Sequence, residues 1–512
     1  MSALTRLLGN AAPLLISVLL VVPGCTSPSG TSALQGAGRF SGERESDAAS
    51  FAPDSGLGQH SDSARGDLDA GRSTRGLDSV DTSRTGRKTA SCKTWSTKGM
   101  TWRLPDAMFD VMAWQWSPFT WSLLDLNGDG RLDLVHTEDP ESKGHPFSSA
   151  GIGSHWRVYV GGPKGFALSA VQWTLPSDTF HAPTFQQGVY RWVLVELTGD
   201  QRPDLVLTGD PKVQGSAYVD DVGAFWRVHR NTGSGFEANA QTWRVPDVTF
   251  DMTSAFSGKW TWSTVDLNGD GWLDLVHTEN PTDEGQAFSG AASSHWRVYL
   301  GAVGGFAAQA TLWAVPSSDI DALYASTGKW GWWTLDADGD GRADLVHTED
   351  PNAEGRAFGG KTDPHWRVYQ NTGGGFAPTA TLWAVPVEDF DSVTVQFNEW
   401  SWSTLDLNGD GYVDLVHTED PTAQGKAFDG DDGNHWRVYW GGSGGFASDW
   451  APWPVPRPEI DAVWSYGDWG AWGVVDLNGD GCVDWVDTRD PVSKSSAYVG
   501  LVGAHWRAHF GL

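Results

Sequence analysis

Asp125, Asn127, Asp129 and Asp133 put four oxygen-bearing side chains into one nine-residue stretch, D-L-N-G-D-G-R-L-D, and the pattern returns at Asp266, Asp336, Asp406 and Asp476. A worn copy begins at Glu196, and successive copies start 71, 70, 70, 70 and 70 residues apart. Hard oxygen donors on alternate residues suit Ca²⁺, which accepts about six to eight oxygens in irregular geometry, whereas Zn²⁺ selects nitrogen and sulfur. The first set is Asp125, Asn127, Asp129, the carbonyl of Arg131 and Asp133. The third is Asp266, Asn268, Asp270, Trp272 and Asp274, and the fourth Asp336, Asp338, Asp340, Arg342 and Asp344. The fifth is Asp406, Asn408, Asp410, Tyr412 and Asp414, and the sixth Asp476, Asn478, Asp480, Cys482 and Asp484. In the second, Glu196, Thr198, Asp200, Arg202 and Asp204 form a weak set, so five calcium sites are expected, with a sixth open. With no Glu at the twelfth position and no flanking helical periodicity, these are not EF-hands. A metal-free Asx-turn hairpin is the alternative, and six acidic copies in one register argue against it.

The residues around each loop define the element that positions it. A Trp stands upstream (Trp121, Trp192, Trp262, Trp332, Trp402, Trp472), and D-L-V-H-T-E-D-P, H-W-R-V-Y, G-G-x-x-G-F and W-x-x-P follow in order, as from Asp133 to Pro176. Short aromatic and β-branched runs punctuated by Gly, Asn-Gly and Pro are strand and turn chemistry. Four strands per repeat, repeated radially, give an all-β fold: a six-bladed β-propeller of four-stranded antiparallel blades. W-x-x-P at Trp102–Pro105 precedes the first loop, while the sixth unit has none of its own. The N-terminal strand is therefore expected to complete the last blade and close the ring.

A calcium loop followed by D-L-V and then V-Y-x-G-G-x-x-G-F resembles the FG-GAP or VCBS-type repeat of integrin-like β-propellers, over residues 92–512. The resemblance implies that each acidic loop joins two strands of a blade and binds calcium, on Asp125, Asn127, Asp129, Arg131, Asp133 and their equivalents. This chain departs from it in having six units where many members have seven, and in carrying roughly fifteen extra residues between W-x-x-P and the next Trp.

Residues 1–25 read as a bacterial secretion signal ending in a lipoprotein-type box, with apolar Ala11–Val22 before Pro23-Gly24-Cys25. Cys25 is the expected lipidation site, with plain secretion as the alternative, giving an outer-membrane or cell-surface lipoprotein or a secreted protein. Residues 26–91, rich in Ser, Gly, Asp and Arg, read as a disordered tether. Cys92 and Cys482 remain as a pair able to staple the ring where its ends meet.

Lys+Arg 35 against Asp+Glu 64 leaves −29, which argues against nucleic acid and against unaided attraction to anionic lipid. Two His series (His136, His277, His347, His417; His155, His295, His365, His435, His505) and an Asp series (Asp110, Asp251, Asp321, Asp391, Asp461) recur, and repeat two replaces all three, with Leu207, Phe225 and His181. Their joint loss suggests one polar cluster per blade, read as a buried Asp–His hydrogen-bond network ahead of a transition-metal site. Trp156, Trp173 and their copies read as interblade core. Trp114, Trp116, Trp260, Trp330, Trp464 and Tyr466, set among Gly and charged residues, are the candidate ligand contacts. No G-x-S-x-G, H-E-x-x-H or unique Cys/His pairing is present. The expectation is a monomeric, non-catalytic binding or adhesion propeller, lectin-like, recognising an extracellular glycan or protein. The alternative is a secreted hydrolase or lyase acting on glycans or phospholipid.

Overall fold

The computed structural model describes residues 92–512 except 117–118, 188–189, 257–260, 291–292, 326–330, 360–363, 396–400, 432 and 468–469. The secretion signal, Cys25 and the tether lie outside the described residues. Within them every regular element is a strand. The first repeat shows the local logic. Strands Phe119–Leu124 and Asp133–His136 flank the acidic loop and pair antiparallel, Trp121 opposite His136. Asp133–His136 then pairs with Gly153–Tyr159, which pairs with Val171–Thr174. Along Gly153–Tyr159, Trp156 and Val158 are buried and Arg157 between them is exposed, the period-two alternation of a strand with two different faces.

The strands fall into six sheets in a β-propeller arrangement. Four strands per sheet is too few for most of them: the sheets hold eight, eight, six, six, five and four strands, and only the one built from Trp332–Leu335, Asp344–His347, His365–Tyr369 and Thr381–Ala384 has four. The extra strands have two sources. The residues before each Trp fold back onto its strand, as Trp114–Trp116 does on Phe119–Leu124. Short hairpins also attach at the rim, and one of them, Gly161–Gly162 with Gly165–Phe166, bridges in parallel to the neighbouring sheet at Arg103.

One contact recurs at every boundary between sheets. The buried indole N–H of Trp156 donates to the carbonyl of Phe180 on the next repeat at 2.7 Å, and Trp226, Trp296, Trp366 and Trp436 do the same to Phe250, Ile320, Phe390 and Ile460. Trp506 makes the equivalent bond to Phe109, 397 residues earlier, so the last boundary is built like the rest. Apolar clusters follow the same order. Trp156, Val158 and Trp173 meet Phe180, Trp192 and Leu205 of the next repeat, and Val475, Val486 and Trp506 meet Trp121, Leu123 and Leu134 of the first. Burying indoles with their N–H groups satisfied combines large apolar area with fixed geometry.

Strand Met100–Arg103 pairs antiparallel with Gly503–His509, Trp102 opposite Trp506. Just before it, Cys92 is disulfide-bonded to Cys482 with Cα atoms 6.0 Å apart. Trp95 donates to the Val483 carbonyl at 2.9 Å and packs edge-on against Trp436 and Trp453. The first described residues are thus fastened to the last two sheets by covalent, hydrogen-bonded and apolar contacts.

Candidate functional site

Each acidic loop is first a hydrogen-bonded turn. Asp125 accepts from the backbone N–H of Gly128 (2.8 Å), Asp129 (3.1 Å) and Gly130 (2.7 Å), and Asp129 accepts from Arg131. The last acid has a second role. Asp133 is fully buried, accepting from Leu126 N–H inside the loop and from Gly161 N–H beyond the next strand, and Asp274, Asp414 and Asp484 repeat the arrangement. Gly128 takes φ +77°, and a Cβ there would meet Arg202 of the next loop at 2.8 Å, so these glycines serve loop-to-loop packing as well as the turn.

These carboxyls sit in conditions that favour a cation. Burial above all, together with the charges of Asp129 and Asp125, lifts Asp133 to about 7. Burial likewise lifts Asp274 to about 6, Asp344 and Asp414 to about 7 and Asp484 to about 8. In the fourth loop, oxygens of Asp336, Asp338 and Asp340 lie within 4.8 Å of one another. Asn478 Oδ1 in the sixth loop is a buried oxygen without a hydrogen-bond donor. Clustered, acceptor-only oxygens lacking donors fit a hard divalent ion.

The second loop is different. Asp200 accepts from Arg202 Nη2 at 2.9 Å and from Arg230 Nη2 at 3.1 Å, and Arg230 replaces Val160, Leu300, Gln370, Trp440 or Phe510 of the other copies. Guanidinium groups thus lie beside the acids of this loop, and Arg230 is the contact particular to it, since the fourth loop has its own pair of Arg342 with Asp340.

The expected Asp–His–His cluster does not form. His136 and His155 stand on either side of the Phe147 ring, 4.9 and 6.2 Å from its centre, and His155 Nδ1 lies 3.0 Å from the Gly153 carbonyl. Asp110 points instead to the last repeat, where it accepts from Arg489 Nε at 2.7 Å, and Asp251 pairs with Arg191 of the second. In this series the Asp faces the preceding repeat. At three boundaries the facing residue is an acid: burial first, with Glu279, Glu349 and Glu419 nearby, raises Asp321, Asp391 and Asp461 to about 6. The two His series instead pack around a ring. Repeat two presents Leu207, Tyr218 and Phe225 there, while in repeat six the Tyr498 hydroxyl donates to Asp487 at 2.8 Å.

That ring carries a feature which sequence reasoning passed over. The Arg of H-W-R-V-Y lies over it in every repeat: Arg157 over Phe147 (3.9 Å), Arg227 over Tyr218 (4.3 Å), Arg297 over Phe288 (4.0 Å), and Arg367, Arg437 and Arg507 over Phe358, Phe428 and Tyr498 (3.9 Å each). Arg157, Arg227, Arg297, Arg367 and Arg507 are exposed, and none of their guanidinium groups has a hydrogen bond or ion pair among the described residues. The available signal was persistence, since Arg227 survives in repeat two where both His are gone.

The other expected contacts fare unevenly. Trp260 and Trp330 lie outside the described residues, Trp114 and Trp116 fall on strand Trp114–Trp116, and Tyr466 falls on Trp464–Gly467. Trp464 is half-buried against the cluster of Leu405, Trp453 and Trp485.

The fold and loops define a class, an all-β propeller arrangement bearing repeated acidic turns. No family model and no curated protein matches the chain. Among solved structures, an Agrocybe aegerita lectin described as recognising non-reducing terminal N-acetylglucosamine is 17% identical over 72% of this chain and 74% of its own, with a TM-score of 0.37. A second, TcdB2–TccC3, is 15% identical over 81% of this chain but only 20% of its own, with a TM-score of 0.23. At these values neither likeness defines a family or a function.

Proposed function

We propose that the protein is a closed, calcium-stabilised propeller that binds glycan chain ends at arginine-bearing clefts on its repeats, without catalysis. It is exported, and held at the cell surface through lipid on Cys25 or secreted. The observation that carries the binding reading is the repeated arginine. In a chain of net charge −29, exposed guanidinium groups without a carboxylate partner, each pinned over an aromatic ring, are unexpected as mere structure. A guanidinium fixed this way offers several in-plane N–H donors to hydroxyl oxygens and a flat upper face for stacking. The surrounding negative charge disfavours polyanions, leaving neutral saccharides as the fitting class. Several such sites on one ring would give avidity toward dense glycan surfaces.

Calcium would be held by the first, third, fourth, fifth and sixth loops, through Asp125, Asp266, Asp336, Asp406, Asp476 and their partners. The ion would neutralise carboxylates that burial now opposes. The test is calcium-loaded protein on a glycan array, beside Arg297→Ala/Arg367→Ala double-variant protein. Neutral-glycan binding weakened in the variant supports the reading. An array without signal refutes it, and release of saccharide products would point to the hydrolase or lyase alternative.

A further inference from the structure

The six arginine clefts are not equivalent, and the fifth is already filled. Arg437 lies between two rings, 3.9 Å from the centre of Phe428 and 4.9 Å from that of Trp450. Trp450 also lies parallel to His435, at 15° and 5.5 Å between centres. Of the six arginines in this series, Arg437 is half-buried and the others are exposed. The corresponding positions hold Ala170, Ala240, Ala310, Ala380 and, on the strand that completes the last sheet, Gly99. Trp450 itself remains 42% exposed, so it covers the arginine without joining the core.

We propose that Trp450 takes, within the molecule, the place that a ligand ring takes in the other five clefts, so that the protein presents five open sites rather than six. This rests on the reading of the arginine clefts as binding sites. The indole shows what such a guanidinium accepts beside its own ring: a flat, weakly polar surface centred 4.9 Å away, as the C–H face of a neutral pyranose would be, with the N–H donors left for its hydroxyls. In the other clefts a methyl group or a hydrogen at this position leaves that side uncovered. Trp450 therefore sets valency, and an alanine there matches four of the other repeats and preserves their fold.

The test uses phenylglyoxal, a neutral arginine reagent, on the calcium-loaded full chain and on Trp450→Ala, with modification of each arginine followed by peptide mass spectrometry. Methyl glycosides of glucose, galactose, mannose, fucose and N-acetylglucosamine serve as competitors. In the wild type, Arg437 is expected to react several-fold more slowly than Arg157, Arg227, Arg297, Arg367 and Arg507, and in Trp450→Ala to match them. A glycoside that protects those five should protect Arg437 only in the variant. Equal reactivity of Arg437 in the wild type would overturn the capping. Reactive but unprotected Arg437 in the variant, beside protected neighbours, would overturn the mimicry alone. Protection at no arginine by any glycoside would instead remove the glycan reading, with the reagent rates still deciding whether Trp450 caps.

Discussion

Replacing His136 by Leu, the residue the second repeat has at Leu207, isolates one buried titration. His136 is 3% exposed, its ring edge-on to Phe109 at 5.5 Å and to Phe147 at 4.9 Å, and its Nε2 is buried without a hydrogen bond. Burial, reinforced by the Arg157 charge, lowers its pKa to about 4. An unfolded His titrates near ~6.5, so between these values the unfolded chain holds the proton and the folded chain does not. The contribution is therefore intact above about pH 6.5, is lost as pH falls toward about 4, and is flat below that. Between pH 7 and pH 5 the loss amounts to roughly 2 kcal/mol for this single group. At pH 7 the leucine protein should lie within about 1.5 kcal/mol of wild type, since the volumes are similar and an unsatisfied nitrogen is removed. Every other titration is common to both proteins and cancels in the difference. Urea unfolding at pH 7 and pH 5 with saturating calcium measures it: the wild type should lose roughly 2 kcal/mol more than His136→Leu. A stability gap that stays constant over this range would refute the assignment of His136 as a buried neutral imidazole.

Chelation with EDTA at neutral pH should lower the melting temperature and restore repulsion among Asp125, Asp129 and Asp133; an unchanged scanning-calorimetry trace would argue against bound calcium. Arg489→Ala strands the buried carboxylate of Asp110 and should cost roughly 3–5 kcal/mol by denaturant titration, whereas a loss under about 1 kcal/mol would show the pair to be dispensable. Cys482→Ser removes the link to Cys92 and should destabilise by about 2–5 kcal/mol, with wild type under reducing agent showing the same shift. Should the reduced and oxidised proteins melt together, the disulfide is not what holds the ring shut.

Much of the architecture was legible because one unit was copied: the acidic loop, the W-x-x-P phase and the strand punctuation all repeat in register, and period-two burial along H-W-R-V-Y follows from alternation alone. The pairing of Cys92 with Cys482 was legible as an option, and coordinates turned it into a bond. What stayed hidden depends on neighbouring repeats. Asp110 finds its partner 379 residues away at Arg489, and Asp251 finds Arg191, because each acid faces the preceding sheet rather than its own. Joint loss of Asp and His in repeat two suggested mutual bonding, yet the two His share only the Phe147 ring and the Asp belongs elsewhere. At the worn second loop the added cation, Arg230, stayed hidden because it lies outside the motif.

The pairing of Met100–Arg103 with Gly503–His509 has a kinetic consequence. During synthesis the early segment emerges roughly 400 residues before its partner, and in that interval it is an open edge bearing Trp102, ready to pair with any other extended segment. Each interior sheet can condense as soon as its own stretch is complete, but the final step must close a loop spanning almost the entire domain, the slowest kind of contact to make. Resealing after a transient opening should be faster in the oxidised protein, because the cystine keeps the two segments within reach of each other.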